Sequence, residues 1–258
     1  MALETYLRDR LKKKDILLMT HIVLGYPSLE DSFRIIDAMV DAGVDLMELQ
    51  IPFSEPVADG PVILKANQIA LRQGVTVREC LDFAGEVARR FDIPFLIMSY
   101  YNILFRHGVE RFVSVMADKG LRGAIVPDLP PEEADEYLMA MNSKNLAPIF
   151  IFSPATIEKR MKYIASFARG FIYCVARKGV TGAKTSFSDK LGRYLDRCRG
   201  ATPLPLAMGL GIYSCPEHMD IDIPETSGYN NSVLDQNGRC FLFFMLKHVS
   251  TKTPIPKY

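Results

Sequence analysis

The sequence alternates between short apolar runs and longer amphipathic segments, and this alternation limits the fold more than any other feature. Seven apolar runs, bounded by Gly, Pro or polar turn residues, predict buried strands. They cover residues 16–24, 44–51, 93–99, 123–126, 147–152, 170–175 and 204–208. Helical spacing occurs at 3–11, 29–42, 62–72, 77–90, 108–119, 132–142, 156–167 and 188–198. Such alternation predicts a parallel sheet covered by helices.

Two architectures satisfy this pattern, a closed barrel and a doubly wound open sheet. The length of 258 residues is typical of one barrel, and no G-x-G-x-x-G pattern follows the first strand. We therefore expect an α/β fold, a (β/α)8 TIM barrel forming a single domain over residues 1–258. Residues 213–258 form a divergent tail whose one apolar run, 241–246, fits either a strand or a helix. We expect this tail to complete the eighth βα unit in an atypical way.

Composition excludes several classes of protein. The net charge of +1 provides no attraction to nucleic acid or to an anionic membrane. The five cysteines show neither a CxxC motif nor metal-ligand spacing, which indicates reduced thiols. The amino terminus lacks the apolar run of a secretory signal, and no apolar stretch reaches the roughly 18 residues of a membrane span. We expect a cytoplasmic protein without a metal site.

The stretch M-E-L-Q-I-P-F-S-E-P-V-A-D-G-P at 47–61 contains the strongest candidate site. Glu48 lies inside a predicted buried strand, where a carboxylate is costly unless it is paired or has a chemical role. Asp59 lies in the following loop, eleven positions later. Parallel α/β folds bind ligands at the carboxyl ends of their strands, where both residues are expected. At this point two explanations remain open, a pair of catalytic acids and a structural ion pair.

The same stretch, E-L-Q-I-P-F-S-E-P-V-A-D-G-P, resembles the signature of the tryptophan synthase alpha subunit family. L-G-Y-P-S-L-E-D, S-Y-Y-N, A-P-I-F-I-F-S-P and R-K-G-V-T-G resemble further family motifs in the same order and spacing. The resemblance, over roughly residues 7–212, implies a (β/α)8 barrel that cleaves indole-3-glycerol phosphate into indole and glyceraldehyde 3-phosphate. It also implies an α2β2 complex in which the beta subunit holds pyridoxal phosphate and receives the indole. No cofactor is expected in this chain.

The resemblance implies roles for individual residues. Glu48 matches the family's catalytic glutamate and Asp59 its catalytic aspartate. Retro-aldol cleavage needs a group that protonates indole C3 and then accepts the side-chain hydroxyl proton, which we assign to Glu48. It also needs a carboxylate near the ring N–H, which we assign to Asp59. The remaining matches are all substrate-binding positions: Tyr100, Tyr173, Thr181 in the mobile loop 179–182, and the phosphate-binding Gly182 and Gly211.

Three departures from the family pattern keep a second function open. Gln50 stands where the family usually has glycine, and Glu55 replaces an aspartate that faces the beta subunit. The strand-eight Gly-Ser pair of the family's phosphate site has no match after Gly211. The alternative is a catalytically weak or silent barrel that acts as a binding partner of a beta subunit. A Schiff-base aldolase is disfavoured because none of the predicted strands contains a lysine.

Overall fold

The computed structural model describes residues 1–175, 189–209 and 242–247. Within these ranges eight strands form a closed barrel in chain order. The strands are β1 (Ile16–Val23), β2 (Leu46–Gln50), β3 (Phe95–Met98), β4 (Gly123–Ile125), β5 (Ala147–Phe152), β6 (Ile172–Val175), β7 (Leu206–Gly209) and β8 (Leu242–Lys247). The barrel prediction is therefore confirmed, and the open doubly wound sheet was the wrong alternative.

Helices alternate with the strands as expected. They are α1 (Leu3–Leu11), α2 (Leu29–Asp41), α3 (Pro61–Arg72), α4 (Val77–Arg90), α5 (Tyr101–His107), α6 (Val109–Asp118), α7 (Asp135–Ser143), α8 (Glu158–Ala165) and α9 (Asp189–Ala201). Local sequence explains several starts: the Ser28 hydroxyl accepts the Asp31 N–H, and Thr76 forms a capping box with Glu79. None of the helices in these ranges combines the length and apolar composition needed to cross a bilayer.

The eighth strand differs in direction from the other seven. β8 lies between β7 and β1 and pairs antiparallel with both, with Leu242 opposite His21 and Lys247 opposite Ile16. The apolar run at 241–246 therefore forms a strand and closes the barrel. Because β8 runs backwards, its first residue, not its last, lies at the barrel end where β1 finishes. The intervening residues 210–241 lie outside the described ranges.

Helix α5 was missed by the sequence prediction, which began a helix only at residue 108. No hydrogen bond from the side chain of its N-cap residue, Tyr100, stabilises the start of α5. Instead, the Asp128 carboxylate accepts the Tyr101 backbone N–H at 2.9 Å. This cap comes from the loop after β4, 27 residues along the chain, so no local pattern could reveal it.

Strand alternation divides the apolar core into two layers. Met47 and Leu49 of β2 face the surrounding helices, whereas Leu46 belongs to the cluster that fills the barrel. Glu48 and Gln50 follow Leu46 at two-residue intervals and share its face. The polar residues of β2 are therefore directed into the barrel.

Helix α1 closes the amino-terminal end of this barrel. Its buried Leu3, Leu7 and Leu11 belong to the same apolar cluster as the barrel interior. Asp45, 1% exposed just before β2, accepts hydrogen bonds from the Lys14 Nζ at 2.8 Å and the Leu18 N–H at 3.0 Å. Because α1 occupies this end, a ligand is expected at the opposite end, where the strands finish.

We expect Gly123→Ala to destabilise the fold by about 1–3 kcal/mol, the usual cost of overpacking. A Cβ at Gly123 would clash with the Ala147 carbonyl oxygen on the neighbouring strand β5. Neither strand can move aside without disturbing its backbone hydrogen bonds to the next strand of the barrel. Urea unfolding of purified variants measures the change.

Gly192→Ala in α9 is the matched control for this prediction. A Cβ there has no neighbour within 4 Å among the described residues, so the same change should stabilise the helix by about 0.5–1 kcal/mol. Equal effects at both positions would contradict the steric explanation.

Candidate active site

Glu48 lies on β2 with its side chain inside the barrel. Its side chain is buried, at 4% exposure, and its Oε2 atom has no hydrogen-bond partner among the described residues. Burial, with a smaller contribution from the charge of Asp59, raises the pKa of Glu48 to about 8. The ion pairs within the described ranges do not include Glu48. The structural ion pair that the sequence left open therefore has no support in this part of the chain.

Asp59 lies in the loop between β2 and α3, and its carboxylate is held from several sides. Gln50 Nε2 donates to Asp59 Oδ2 at 2.7 Å, and Asn67 Nδ2 lies 3.5 Å from the same oxygen. Burial raises the pKa of Asp59, whereas hydrogen bonds from Gln50, Tyr100 and Asn67 lower it. This carboxyl group is therefore partly buried but surrounded by donors that favour its ionised form.

Asn67 ties the loop to α3. Its side chain is fully buried, its Oδ1 accepts the Phe53 N–H at 2.9 Å, and its Nδ2 donates to the Ile63 carbonyl at 2.9 Å. Sequence reasoning missed this residue. Helical spacing could have revealed it, because that spacing places Asn67 on the same buried face as Ile63 and Ala70.

A second polar link runs from β1 to β2. His21 Nε2 and Gln50 Oε1 are 2.7 Å apart, and both side chains are buried. Burial lowers the pKa of His21 to about 4, so the ring is neutral near neutral pH. His21 also stands opposite Glu48 in the strand register. The sequence assigned His21 no role, although its position two residues after Met19 already placed it on the inward face.

Two tyrosines complete the described part of the site. The Tyr100 ring stacks on Phe53 with centroids 4.9 Å apart, and its hydroxyl accepts the Ala58 N–H at 3.2 Å. Tyr173 of β6 is 4% exposed, and burial raises its pKa well above the usual value. The Glu48 and Asp59 carboxylates raise that pKa further. Tyr173 is therefore within electrostatic reach of both acids from across the barrel.

The structure thus brings together four residues singled out from the sequence: Glu48, Asp59, Tyr100 and Tyr173. Thr181, Gly182 and Gly211, together with the loop 179–182, lie outside the described residues. The described ranges hold no cluster of His, Cys, Asp or Glu side chains able to bind a metal ion. The arrangement pairs a carboxyl group that stays protonated near neutral pH with one that donors favour as an anion. Such a pair suits general acid–base chemistry at an uncharged carbon.

Comparison with known proteins identifies the family. The family model of the tryptophan synthase alpha chain matches residues 7–227. The tryptophan synthase alpha chain of Syntrophotalea carbinolica is 66% identical over 210 residues, covering 81% of this chain and 83% of the relative. That of Desulforapulum autotrophicum is 63% identical over 210 residues, with the same coverage of 81% and 83%.

Solved structures agree with these sequence relatives. A chain of Mycobacterium tuberculosis tryptophan synthase matches with a TM-score of 0.77 and 31% identity, covering 83% of this chain and 82% of that one. A mutant tryptophan synthase alpha-subunit from Pyrococcus furiosus matches with a TM-score of 0.71 and 28% identity, covering 77% and 79%. Fold, site and sequence therefore agree that the chain belongs to the tryptophan synthase alpha chain family.

Proposed function

We propose that Glu48 and Asp59 carry out the lyase reaction of this chain. As a tryptophan synthase alpha chain, it cleaves indole-3-glycerol phosphate to indole and glyceraldehyde 3-phosphate, a step of tryptophan biosynthesis. The observation that carries the residue assignment is the state of Glu48. This carboxyl group is buried, unpaired with any cation among the described residues, and protonated up to about pH 8.

Glu48 is proposed as the proton shuttle. Its carboxyl proton is transferred to indole C3, which makes the ring an electron sink. The bond from C3 to the glycerol carbon then breaks, and its electron pair restores the indole ring. The hydroxyl on that carbon loses its proton to the Glu48 carboxylate and becomes the aldehyde of glyceraldehyde 3-phosphate. Glu48 ends the cycle protonated, as it began, so one group serves as acid and then as base.

Asp59 is proposed to stabilise the charge that this step creates. Protonation at C3 leaves positive charge on the indole nitrogen, and an anion beside the ring N–H lowers the free energy of that state. Gln50 occupies one carboxylate oxygen, Oδ2, at 2.7 Å. We assign the other oxygen, Oδ1, to the ring N–H.

The substrate-binding assignments are proposals of the same kind. We assign Tyr100 and Tyr173 to the walls of the indole pocket, since both are buried beside the two acids. We assign Thr181 to the loop that covers the site, and Gly182 and Gly211 to the phosphate. We also propose that residues 1–258 act as one catalytic domain. Because β8 is antiparallel, its last residue lies opposite the first residue of β1. It is therefore at the other end of the barrel from the one where we place the phosphate.

The partner of this chain is a tryptophan synthase beta subunit, and a solved tryptophan synthase complex from Pyrococcus furiosus is among its structural relatives. We propose an α2β2 assembly in which pyridoxal phosphate is held by the beta subunit and no cofactor by this chain. On the described surface, Val57 and Phe105 are 73% and 65% exposed, and Glu55, two residues before Val57, is also exposed. We also propose a cytoplasmic location, which the free thiols of Cys80, Cys174 and Cys198 support.

Purified protein should release indole from indole-3-glycerol phosphate, slowly alone and faster after addition of a tryptophan synthase beta subunit. The physical reason is that closure of the site around its substrate excludes water and fixes the reacting groups. Indole is followed by its fluorescence, and glyceraldehyde 3-phosphate by a coupled dehydrogenase. Equal amounts of the two products are expected. If no indole forms above background with the beta subunit present, the chain is a binding partner and not a lyase.

A further inference from the structure

We propose that Gln50, fixed by His21, is a positioning residue that orients the Asp59 carboxylate for the lyase reaction. The inference rests on the function proposed for Asp59 and adds two residues to it. The link is a continuous series of polar contacts across two strands and a loop: His21 to Gln50 at 2.7 Å, and Gln50 to Asp59 at 2.7 Å.

The chemistry of the three groups determines the direction of each hydrogen bond. An ionised carboxylate can only accept, so the Gln50 amide nitrogen faces Asp59 and its carbonyl oxygen faces His21. That oxygen can only accept, so His21 must carry its hydrogen on Nε2. His21 Nδ1 is then an acceptor, and it has no hydrogen-bond partner among the described residues. The arrangement has one consistent assignment of donors.

Burial makes this link rigid and selective. Gln50 is 0% exposed and His21 is 5% exposed, so neither amide nor ring can exchange its partner for bulk water. A buried amide that lost its partner would cost about 1–3 kcal/mol, which disfavours rotation of Gln50 away from Asp59. The His21 ring stays neutral at ordinary pH because burial lowers its pKa to about 4. His21 and Gln50 therefore hold the orientation of the Asp59 carboxylate while both remain uncharged.

The link also affects the ionisation of Asp59. The described groups that interact with Asp59 are Gln50 and Glu48 from β2, Asn67 from α3, Tyr100 after β3, and Tyr173 from β6. The ion pairs of the described residues give Asp59 no cationic partner. Among the hydrogen bonds that lower its pKa, the one from Gln50 contributes most. Loss of the Gln50 amide should therefore raise the pKa of Asp59.

The test variant is Gln50→Met, which keeps the length of the side chain and removes both hydrogen bonds. We expect kcat for indole release to fall by about 10-fold to 100-fold, with KM changed less than about threefold. The acid limb of the pH profile should move to higher pH, because Asp59 must be ionised to act and loses a hydrogen bond that lowers its pKa. His21→Leu should also lower kcat and move the acid limb to higher pH, by smaller amounts than Gln50→Met. His21→Gln, which retains an N–H donor, should recover part of the kcat that His21→Leu loses.

A double-mutant cycle separates positioning from a merely structural role. If Gln50 acts through Asp59, then Gln50→Met should change kcat less than about twofold in an Asp59→Asn background. Gln73→Met, at the exposed end of α3, is the matched control and should leave kcat unchanged. Urea unfolding and circular dichroism of each variant show whether it is folded under the assay conditions. If Gln50→Met does not fold, His21→Leu and His21→Gln carry the same comparison.

Two results would overturn the inference. One is a folded Gln50→Met enzyme with near-normal kcat and an unmoved acid limb. The other is an equal loss of kcat from Gln50→Met in the wild-type and Asp59→Asn backgrounds. Failure of the proposed function is a separate outcome, since it would appear as near-normal turnover of Asp59→Asn itself.

Discussion

Replacing Glu48 by Gln should lower kcat for indole release by about 10²-fold to 10⁴-fold, the usual contribution of a positioned acid–base group. The amide keeps the size of the side chain but neither donates a proton to indole C3 nor accepts one from the glycerol hydroxyl. Substrate binding should be largely unchanged. Stopped-flow binding and steady-state turnover, each with the beta subunit present, measure the two effects separately.

The pH profile of the wild-type enzyme provides a second test of the same group. Glu48 must be protonated to act, so kcat/KM should fall as the pH rises above about 8. Glu86→Gln, the same chemical change at an exposed position on α4, is the matched control. It should keep the wild-type rate and the same fall of kcat/KM above about pH 8. Turnover by Glu48→Gln within about fivefold of the wild type would contradict the shuttle role, since a general acid–base contributes far more.

Protein stability provides a readout of the Glu48 pKa that does not depend on activity. In the unfolded chain this carboxyl group titrates near 4.5, and in the folded protein near 8. Between these values only the folded state holds the proton, so the contribution of Glu48 to the wild-type free energy of unfolding falls as the pH rises. Glutamine does not titrate. The stability of Glu48→Gln relative to wild type should therefore increase across this window, by up to about 1.4 kcal/mol per pH unit.

Replacing Asp59 by Asn should lower kcat by about 10²-fold to 10³-fold, the usual cost of removing one group that stabilises transition-state charge. Asparagine still offers an oxygen to Gln50 Nε2, so the loop should keep its structure. What is lost is the negative charge beside the indole nitrogen. Steady-state turnover with and without the beta subunit measures the loss and separates it from an effect on partner binding.

The same Asp59→Asn variant should change the pH dependence in a defined direction. The charge of Asp59 is the second cause, after burial, of the raised pKa of Glu48. Without that charge, the basic limb of the residual activity should move to lower pH. Asp41→Asn, at the exposed end of α2, is the matched control and should leave rate and profile unchanged. A basic limb that stays in place in Asp59→Asn would show that the two carboxyl groups do not interact.

Much of the barrel could be predicted from local sequence, because each strand and helix follows from short-range patterning. Strand β5 was predicted with its observed bounds, and α4 with both of its ends; the start of α4 follows from the cap that Thr76 and Glu79 form within four residues. Glu48 stood out because a carboxylate inside an apolar run is costly in any fold. Asp59 stood out through its place in the loop that follows.

Contacts between distant parts of the chain were not accessible in this way. The cap of α5 by Asp128, the placement of β8 between β7 and β1, and the His21–Gln50 contact each join residues far apart in sequence. Gln50 was noted from the sequence as a departure from the family pattern, but no local rule predicts which side chain its amide will meet. The orientation of an amide depends on all of its neighbours together.

The sequence by itself determined that strands alternate with helices and that two acids lie near one strand end, because period-two and helical spacing act over a few residues. Only the tertiary structure decided what surrounds those acids. Closing the barrel removes water from Glu48 and raises its pKa to about 8, and it directs the donors of Gln50, Asn67 and Tyr100 toward Asp59. The pKa of each carboxyl group is therefore set by its folded surroundings and not by the residue type: burial dominates at Glu48, whereas at Asp59 three hydrogen-bond donors oppose the effect of burial.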